Sequence, residues 1–456
     1  MSYDIVIVGG GPVGLTEACL LKSLNKKLNI CVLEGRSIAT RDFGLSIAKD
    51  SVKRIASVID NALANHNYDP VERIDLKGLK KCLVEWSYFP SVRTNQIQTE
   101  LSNRANNLGV KIFRGEQFKV NGEALSQLFN PKASKELLTP DLQSLHASLS
   151  QAKLIIGADG AHSIVRKTVM GTDESNLTDV ETYAYALEVK HEIATTLSKK
   201  PNMVKTKIAA STGSSKMGEV LIESIGKPNP NSNLLPVTDL LFVDKKIHDC
   251  FIEKNEKGET VMGIPGKPWT LDILEERAKT NKVVKEYLEK IKGQIERTKL
   301  LCKVDVSQTT KVPQITTIPL KTYRSKEIVK IYQNKPVLIL GDASSGLILR
   351  RGFNKSLIEV ASSSEAIIKY LERVDDKHAE LKEISKEFKD YQVQSEKIFA
   401  NEKWWVKQKA KGIKFIKIPL KYIIRPIYSF FAYLTKTFVE AIRSSLSFIV
   451  NPKKLS

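Results

Sequence analysis

The 456-residue sequence predicts an α/β protein: a parallel-sheet domain, a second domain built on a mixed sheet, and a helical, basic C-terminal extension. Three observations lead there. A β-branched strand runs directly into a glycine-rich turn and a helix near the N-terminus. Two further apolar strands, far downstream, end in Asp-Gly and Gly-Asp turns. Finally, Lys and Arg crowd the last stretch of the chain.

The first strand is Ile5 to Val8, short and uninterrupted, as a strand buried on both faces of a parallel sheet requires. Gly9, Gly11 and Gly14 follow as G-x-G-x-x-G. The first glycine permits a tight turn, the second lets backbone approach a pyrophosphate, and the third lets the helix pack on the strand. Leu15, Ala18, Cys19, Leu21 and Leu24 give that helix its apolar positions, and phosphate would sit on the amides of its N-terminus. A second strand, 29 to 33, ends at Glu34, 20 residues after Gly14, where a carboxylate takes ribose hydroxyls. Strand, turn, helix, strand and acid together predict a Rossmann-like dinucleotide site. Glu34 disfavours a 2′-phosphate, which leaves FAD or NAD.

The next anchor is "AKLIIGADGAHSIVRKTVMG", residues 152 to 171, in which a strand runs into Gly157-Ala158-Asp159-Gly160 and Ser163, Val165 and Arg166 open a helix. A third, "KPVLILGDASSG", is a buried strand ending in Gly341-Asp342. In this order the motifs resemble the FAD-dependent aromatic hydroxylases, the class A flavoprotein monooxygenases that include p-hydroxybenzoate and ubiquinone-pathway hydroxylases. The resemblance implies a p-hydroxybenzoate hydroxylase-like fold with FAD as cofactor and NADH or NADPH as transient reductant. It places Asp159 at the ribose and diphosphate and Gly341-Asp342 at the ribityl and phosphate. It also implies cofactor contacts for Arg41, ahead of "GLSIAKDSVKRI", and for Arg93, ahead of a helix with Ile97, Leu101, Ala105 and Leu108 on one face. Either arginine could instead be solvated surface charge. The cofactor-binding set is thus Gly9, Gly10, Gly11, Pro12, Val13, Gly14, Glu34, Gly35, Arg36, Arg41, Arg93, Asp159, Gly160, Gly341, Asp342, Gly352, Phe353 and Asn354.

The third anchor departs from the family. Ser344 and Ser345 stand where histidine and prolines are usual, and Asp342 and Asn354 lie 12 positions apart, two short of the usual spacing. Gly352-Phe353-Asn354 restores the closing Gly-x-Asn, ahead of a helix. Arg350 and Arg351 are the candidate catalytic residues: a guanidinium beside the flavin ring favours its anionic reduced form or binds an acidic substrate group. Pairing with an acid, or with solvent, is the alternative for both.

The implied FAD domain is discontinuous, 1–75, 92–172 and 312–370, with 76–91 and 173–311 forming the substrate domain and 371–456 a helical basic region. "TYAYALEVKHE" and "LLFVDKKIHDCFIE" read as strands, and "TLDILEERAKTNKVVKEYLEKIKGQ" as a helix. Trp86, Tyr88, Tyr183 and Tyr185 are pocket or plain core. Neither the six histidines nor the five scattered cysteines have metal-ligand or triad spacing, so no metal and no hydrolytic triad is expected.

Of the net charge of +20, +11 lies in residues 403–456, where 12 Lys and Arg face Glu440 alone. Residues 427 to 450 are apolar but interrupted by Lys436, Glu440 and Arg443, which disfavours a spanning helix and suits an amphipathic helix on an anionic membrane surface. A helical cap on the FAD domain is the alternative, and no nucleic-acid module is visible. The chain begins on a strand pattern without a signal segment, so a cytoplasmic body with peripheral membrane contact is expected. The expected activity is NAD(P)H-driven hydroxylation or epoxidation of a lipophilic or aromatic molecule. A reductase of the geranylgeranyl-reductase-like type and a non-catalytic FAD-binding protein at a membrane are the alternatives.

Overall fold

A computed structural model describes residues 2–37, 44–45, 47–65, 68–88, 92–130, 132, 134–194, 220–225, 234–264, 267–301, 313–347, 351–373 and 383–415. By contact the chain forms two compact units, 1–210 with 216–406 and 211–215 with 407–456. Every described side chain belongs to the first.

Strands β1 (Ile5–Val8), β2 (Ile30–Glu34), β3 (Lys111–Arg114) and β4 (Leu154–Gly157) run parallel in the order β4-β1-β2-β3. Ile5 lies opposite Ile30 and Leu154, and Val8 opposite Leu33 and Gly157. Both faces of β1 and β4 are buried, which explains their unbroken apolar runs. Helix α1 (Pro12–Leu24) returns the chain from β1 to β2, with proline in its first turn, where a missing N–H costs nothing. Helices α2 (Lys49–Asn65), α3 (Pro70–Ser87) and α4 (Thr94–Asn107) contribute to the same core.

The second sheet has β5 (Leu177–Ala194), β6 (Val220–Ile225), β7 (Leu234–Val243) and β8 (Gln314–Ser325) in the order β8-β5-β7-β6. These pairings are all antiparallel. Helices α5 (Leu271–Thr280) and α6 (Lys282–Leu301) close a second core with it, built on Leu187, Val189, Leu241, Trp269, Ile291 and Ile315. The chain then rejoins the first sheet: β10 (Lys335–Ile339) adds to β4 in parallel, and β9 (Val329–Tyr332) pairs antiparallel with β10 across Gln333 and Asn334, both at positive φ. Such a two-residue turn suits the twist of a hairpin. Helix α7 (Arg351–Arg373) packs on α1 and α2, and α8 (Lys386–Phe415) follows.

Three local readings change. Residues 76–87, expected in the second domain, complete α3, because Leu76, Leu79 and Leu83 form an apolar helical stripe that enters the first core. "LLFVDKKIHDCFIE" is strand only to Val243. There Asp244 caps the short helix Lys245–Cys250, its side chain accepting from the Ile247 amide at 2.9 Å. The long helix expected after Pro268 is α5 and α6, divided at Asn281, whose side chain accepts from the Val283 and Val284 amides.

No helix among the described residues is long and apolar enough to cross a membrane; residues 427 to 450 lie outside them. No cluster among the described residues could hold a metal ion.

Candidate functional site

At the carboxyl end of β1 the backbone turns through Gly9, Gly10 and Gly11 into α1. Gly9 has φ +111°, and a Cβ there would run into the Ala158 backbone, while one on Gly14 would strike the Gly9 carbonyl. Packing alone makes both glycines necessary. Gly11 differs, because nothing lies within 4 Å of where its Cβ would be. An open space at a helix N-terminus suits a phosphate.

Glu34 ends β2 at 5% exposure. Its Oε2 accepts from the Gly10 amide at 2.9 Å and its Oε1 from the amide and Nε of Arg36, both at 3.0 Å. The acid therefore fastens the glycine turn to β2, and Arg36, 38% exposed, is the group that ribose hydroxyls would displace. From the other side Gln98 of α4 donates to the Gly10 carbonyl at 2.6 Å. Gln98 was not among the expected site residues; a glutamine beside Ile97 on a buried helix face is the sole sequence signal for it. Arg93, expected from the same stretch, pairs by its backbone with Gly44, and its side chain lies outside the described residues, as does all of Arg41.

Beyond β4, Asp159 holds the start of the next helix. Its Oδ2 accepts from the amides of Ile164 at 2.6 Å and Val165 at 3.3 Å, and Gly160 turns the chain at φ +88°. Burial pushes the Asp159 carboxyl up, against the lowering by those amides. Its Oδ1 is buried and has no hydrogen-bond partner among the described residues.

Beyond β10, Gly341 has φ +66°, and a Cβ there would sit 3.1 Å from the Val13 side chain. A Cβ on Gly352 would come within 3.2 Å of Asp342 Oδ1. Asn354 Oδ1 accepts from the Ala48 amide at 2.6 Å. Gly352, Phe353 and Asn354 thus fall in the first turn of α7. The ends of β1, β4 and β10 therefore bring the three motifs into one crevice, with glycine where the backbones approach most closely. An open space at Gly11 and the unmatched Asp159 oxygen both fit a dinucleotide phosphate and ribose.

Residues 2–218 match the family described as FAD binding domain. Over that stretch, a little under half of its length, the chain is similar to FAD-binding domains. A Bacillus subtilis (strain 168) protein, "Uncharacterized aromatic compound monooxygenase YhjG", is 28% identical over 193 residues. That match covers 38% of this chain, which spans about a third (35%) of the relative's length. Among solved structures, the myxobacterial chondrochloren halogenase CndH is 13% identical over 89% of this chain and 82% of its own, with a TM-score of 0.48. The Diels-Alderase PyrE3 of pyrroindomycin biosynthesis is 13% identical over 96% and 79%, with a TM-score of 0.47.

Two groups lie outside the expected site set: Arg166, which the sequence places in the second anchor without a role, and a buried pair under the third. Arg166, 1% exposed, donates to the carbonyls of Ala161 at 2.8 Å and Ala343 at 2.9 Å and to Asp173 Oδ1 at 2.8 Å, so one side chain ties the Asp159 turn to the Gly341 turn. Tyr323 donates to the Asp342 carbonyl at 2.7 Å, and burial pushes its phenol well up. The second group lies under the atypical loop. Lys355 and Glu359, both fully buried on α7, form an ion pair at 2.8 Å. Around it stand Ser344, Ser345 and Ser395.

Of the candidate catalytic pair, Arg350 lies outside the described residues, and Arg351 opens α7 with its side chain undescribed. Among the candidate pocket aromatics, Trp86 packs on the first core, Tyr88 is 68% exposed, and Tyr185 lies 4.3 Å from the His248 ring beside the second core; the Tyr183 side chain is undescribed.

Proposed function

We propose that the chain is an FAD-dependent monooxygenase, a hydroxylase or epoxidase, that uses NADH or NADPH to oxygenate a lipophilic or aromatic small molecule. The observation that carries this reading is the convergence of the Gly9–Gly14 turn, Asp159 and the Gly341–Asp342 turn on one crevice, in the family's order. Bound FAD supplies the oxygen activation, so that substrate, O2, NAD(P)H and a proton give oxygenated product, water and NAD(P)+.

The chain's own part is positional. The open N-terminus of α1 at Gly11 holds the pyrophosphate, and Glu34 takes ribose hydroxyls as Arg36 swings aside. Asp159 offers its free Oδ1, and Asp342 takes the ribityl side. Arg350 and Arg351 are proposed to act at the ring. A visible absorption spectrum of the purified protein, then anaerobic addition of NADH or NADPH, tests the reading. Flavin absorbance that bleaches supports it; a colourless protein, or a flavin that resists both reductants, refutes the redox function.

The basic C-terminal segment is proposed to rest on an anionic membrane surface at the cytoplasmic side, which suits a hydrophobic substrate. Its support is the coincidence of Lys407, Lys409, Lys411, Lys414 and Lys417 with apolar neighbours. Replacing these five lysines by glutamate in the full chain is expected to abolish co-sedimentation with anionic vesicles. Undiminished co-sedimentation refutes the placement.

A further inference from the structure

The Gly341–Gly346 turn lacks the prolines and histidine that usually stiffen it, yet it is held at both ends. Lys355 Nζ donates to the Gly341 and Ser345 carbonyls, each at 3.3 Å, and to the hydroxyls of Ser344 at 3.1 Å and Ser345. Glu359 accepts from the Gly341 amide at 3.3 Å and the Ser344 hydroxyl at 3.1 Å, and Ser395 of α8 donates to it at 2.7 Å. On the outer side Ser325 donates to the Ser344 carbonyl at 2.8 Å, so the turn is also stitched to β8.

The two charges lie one helical turn apart, with the lysine nearer the helix N-terminus, the less favourable order against the helix dipole. Helix propensity therefore does not account for them; the turn they grip does. Both side chains are 0% exposed. Little solvent stands by to screen either charge, so its field reaches across neighbouring atoms with more force than at a surface.

We propose that Lys355 and Glu359 are positioning residues for the flavin: a balanced buried charge pair that fixes the Gly341–Ser345 turn and sets the electrostatic field at the bound ring. The proposal rests on FAD lying against this turn. Two consequences follow. Each charge alone acts on the flavin with its own sign, and the two compensate. A positive charge near the ring favours the anionic reduced flavin and a negative charge disfavours it.

The experiment is the flavin midpoint potential of the full-length holoprotein, measured by equilibration with a reference dye. Lys355→Met, which leaves Glu359 uncompensated, is expected to lower the potential, and Glu359→Gln, which leaves Lys355 uncompensated, to raise it. The Lys355→Met/Glu359→Gln double variant is expected to return towards the wild-type value. Loss of packing alone would move both single variants the same way or neither, and either result overturns the proposal. Where a single variant fails to hold FAD, Ser395→Ala serves instead. Standing outside the turn, Ser395 gives a hydrogen bond to Glu359, so its removal exposes more of the negative charge and is expected to lower the potential. An unchanged potential there also overturns the proposal. A wild-type protein that binds no FAD would instead refute the proposed function, a separate outcome.

Discussion

Glu17 lies on α1, three residues beyond the last glycine of the turn, and is fully buried. Its carboxyl meets Ser363 Oγ at 3.0 Å and Ser364 Oγ at 3.1 Å on α7, two neutral partners. Burial raises its pKa from the ordinary 4.5 to about 8, with the two hydroxyls pulling the other way. Between these values the native state keeps a proton that the unfolded chain releases. The stability contributed by this proton is therefore fully present below pH 4.5 and is lost as pH rises towards 8. At about 1.36 kcal/mol per pH unit, a rise of roughly 3.5 units corresponds to about 5 kcal/mol. Domains have roughly 5–15 kcal/mol in total, so a loss of this order is large enough to read in a denaturation experiment.

Glu17→Gln keeps the shape, offers an amide to the same two hydroxyls and removes the titration. Urea denaturation at pH 5 and pH 8 should show the wild type losing several kcal/mol over that interval and the variant losing about 3–5 kcal/mol less. Equal differences between the two proteins at both pH values would refute a neutral buried Glu17.

Three further outcomes test the site. Gly11→Ala should leave unfolding stability within about 0.5 kcal/mol of wild type, since its methyl meets no protein atom, yet weaken FAD at least about tenfold in a fluorescence titration, whereas Gly14→Ala should disrupt folding by striking the Gly9 carbonyl. Arg166→Met should cost roughly 3–5 kcal/mol, because it strands two buried carbonyls and breaks a pair with Asp173; a loss below about 1 kcal/mol in urea denaturation would remove Arg166 as the clamp. Although burial pushes Asp173 upward, Arg166 and Lys167 hold it below 3.8, so the pair's stability is lost as pH falls and Arg166→Met should flatten the acid limb. Arg350→Ala and Arg351→Ala should keep FAD bound while slowing its reduction by NAD(P)H, and unchanged stopped-flow traces for both would place them outside the site.

The parts of this fold that could be read from sequence are those whose cause is local. Ile5 to Val8, the glycine spacing and Glu34 are neighbours in the chain, and each residue type has one physical reason to be there. The placing of residues 76–87 in the second domain follows the resemblance's domain order, whereas the leucine stripe at 76, 79 and 83, itself legible in the sequence, takes them into the first core. Gln98, Arg166 and Lys355 are another matter. Gln98 and Arg166 reach partners 88 and 177 residues away, whereas Lys355 has its partners within 14 residues and lacks only a sign that the helix carrying it is buried all round. Whether a polar side chain is buried is decided by which elements the chain brings together, which the local residues do not state.

The Gly341–Ser345 turn is held by side chains and not by restriction of its own backbone. A proline limits φ whatever its surroundings, so a proline-stiffened turn keeps its form by covalent geometry. Here Ser344 and Ser345 restrict nothing by themselves; their hydroxyls are useful only because Lys355 and Glu359 stand beneath them. A turn held this way depends on both charges at once, since removing either leaves the other buried without a counterpart. It also depends on α8, whose Ser395 occupies Glu359 Oε1 and whose Glu396 and Lys403 pair with Arg324 and with Asp179 and Glu181 of the second sheet. Residues 386–404 therefore belong to the support of the flavin crevice, although nothing in their sequence resembles a cofactor motif.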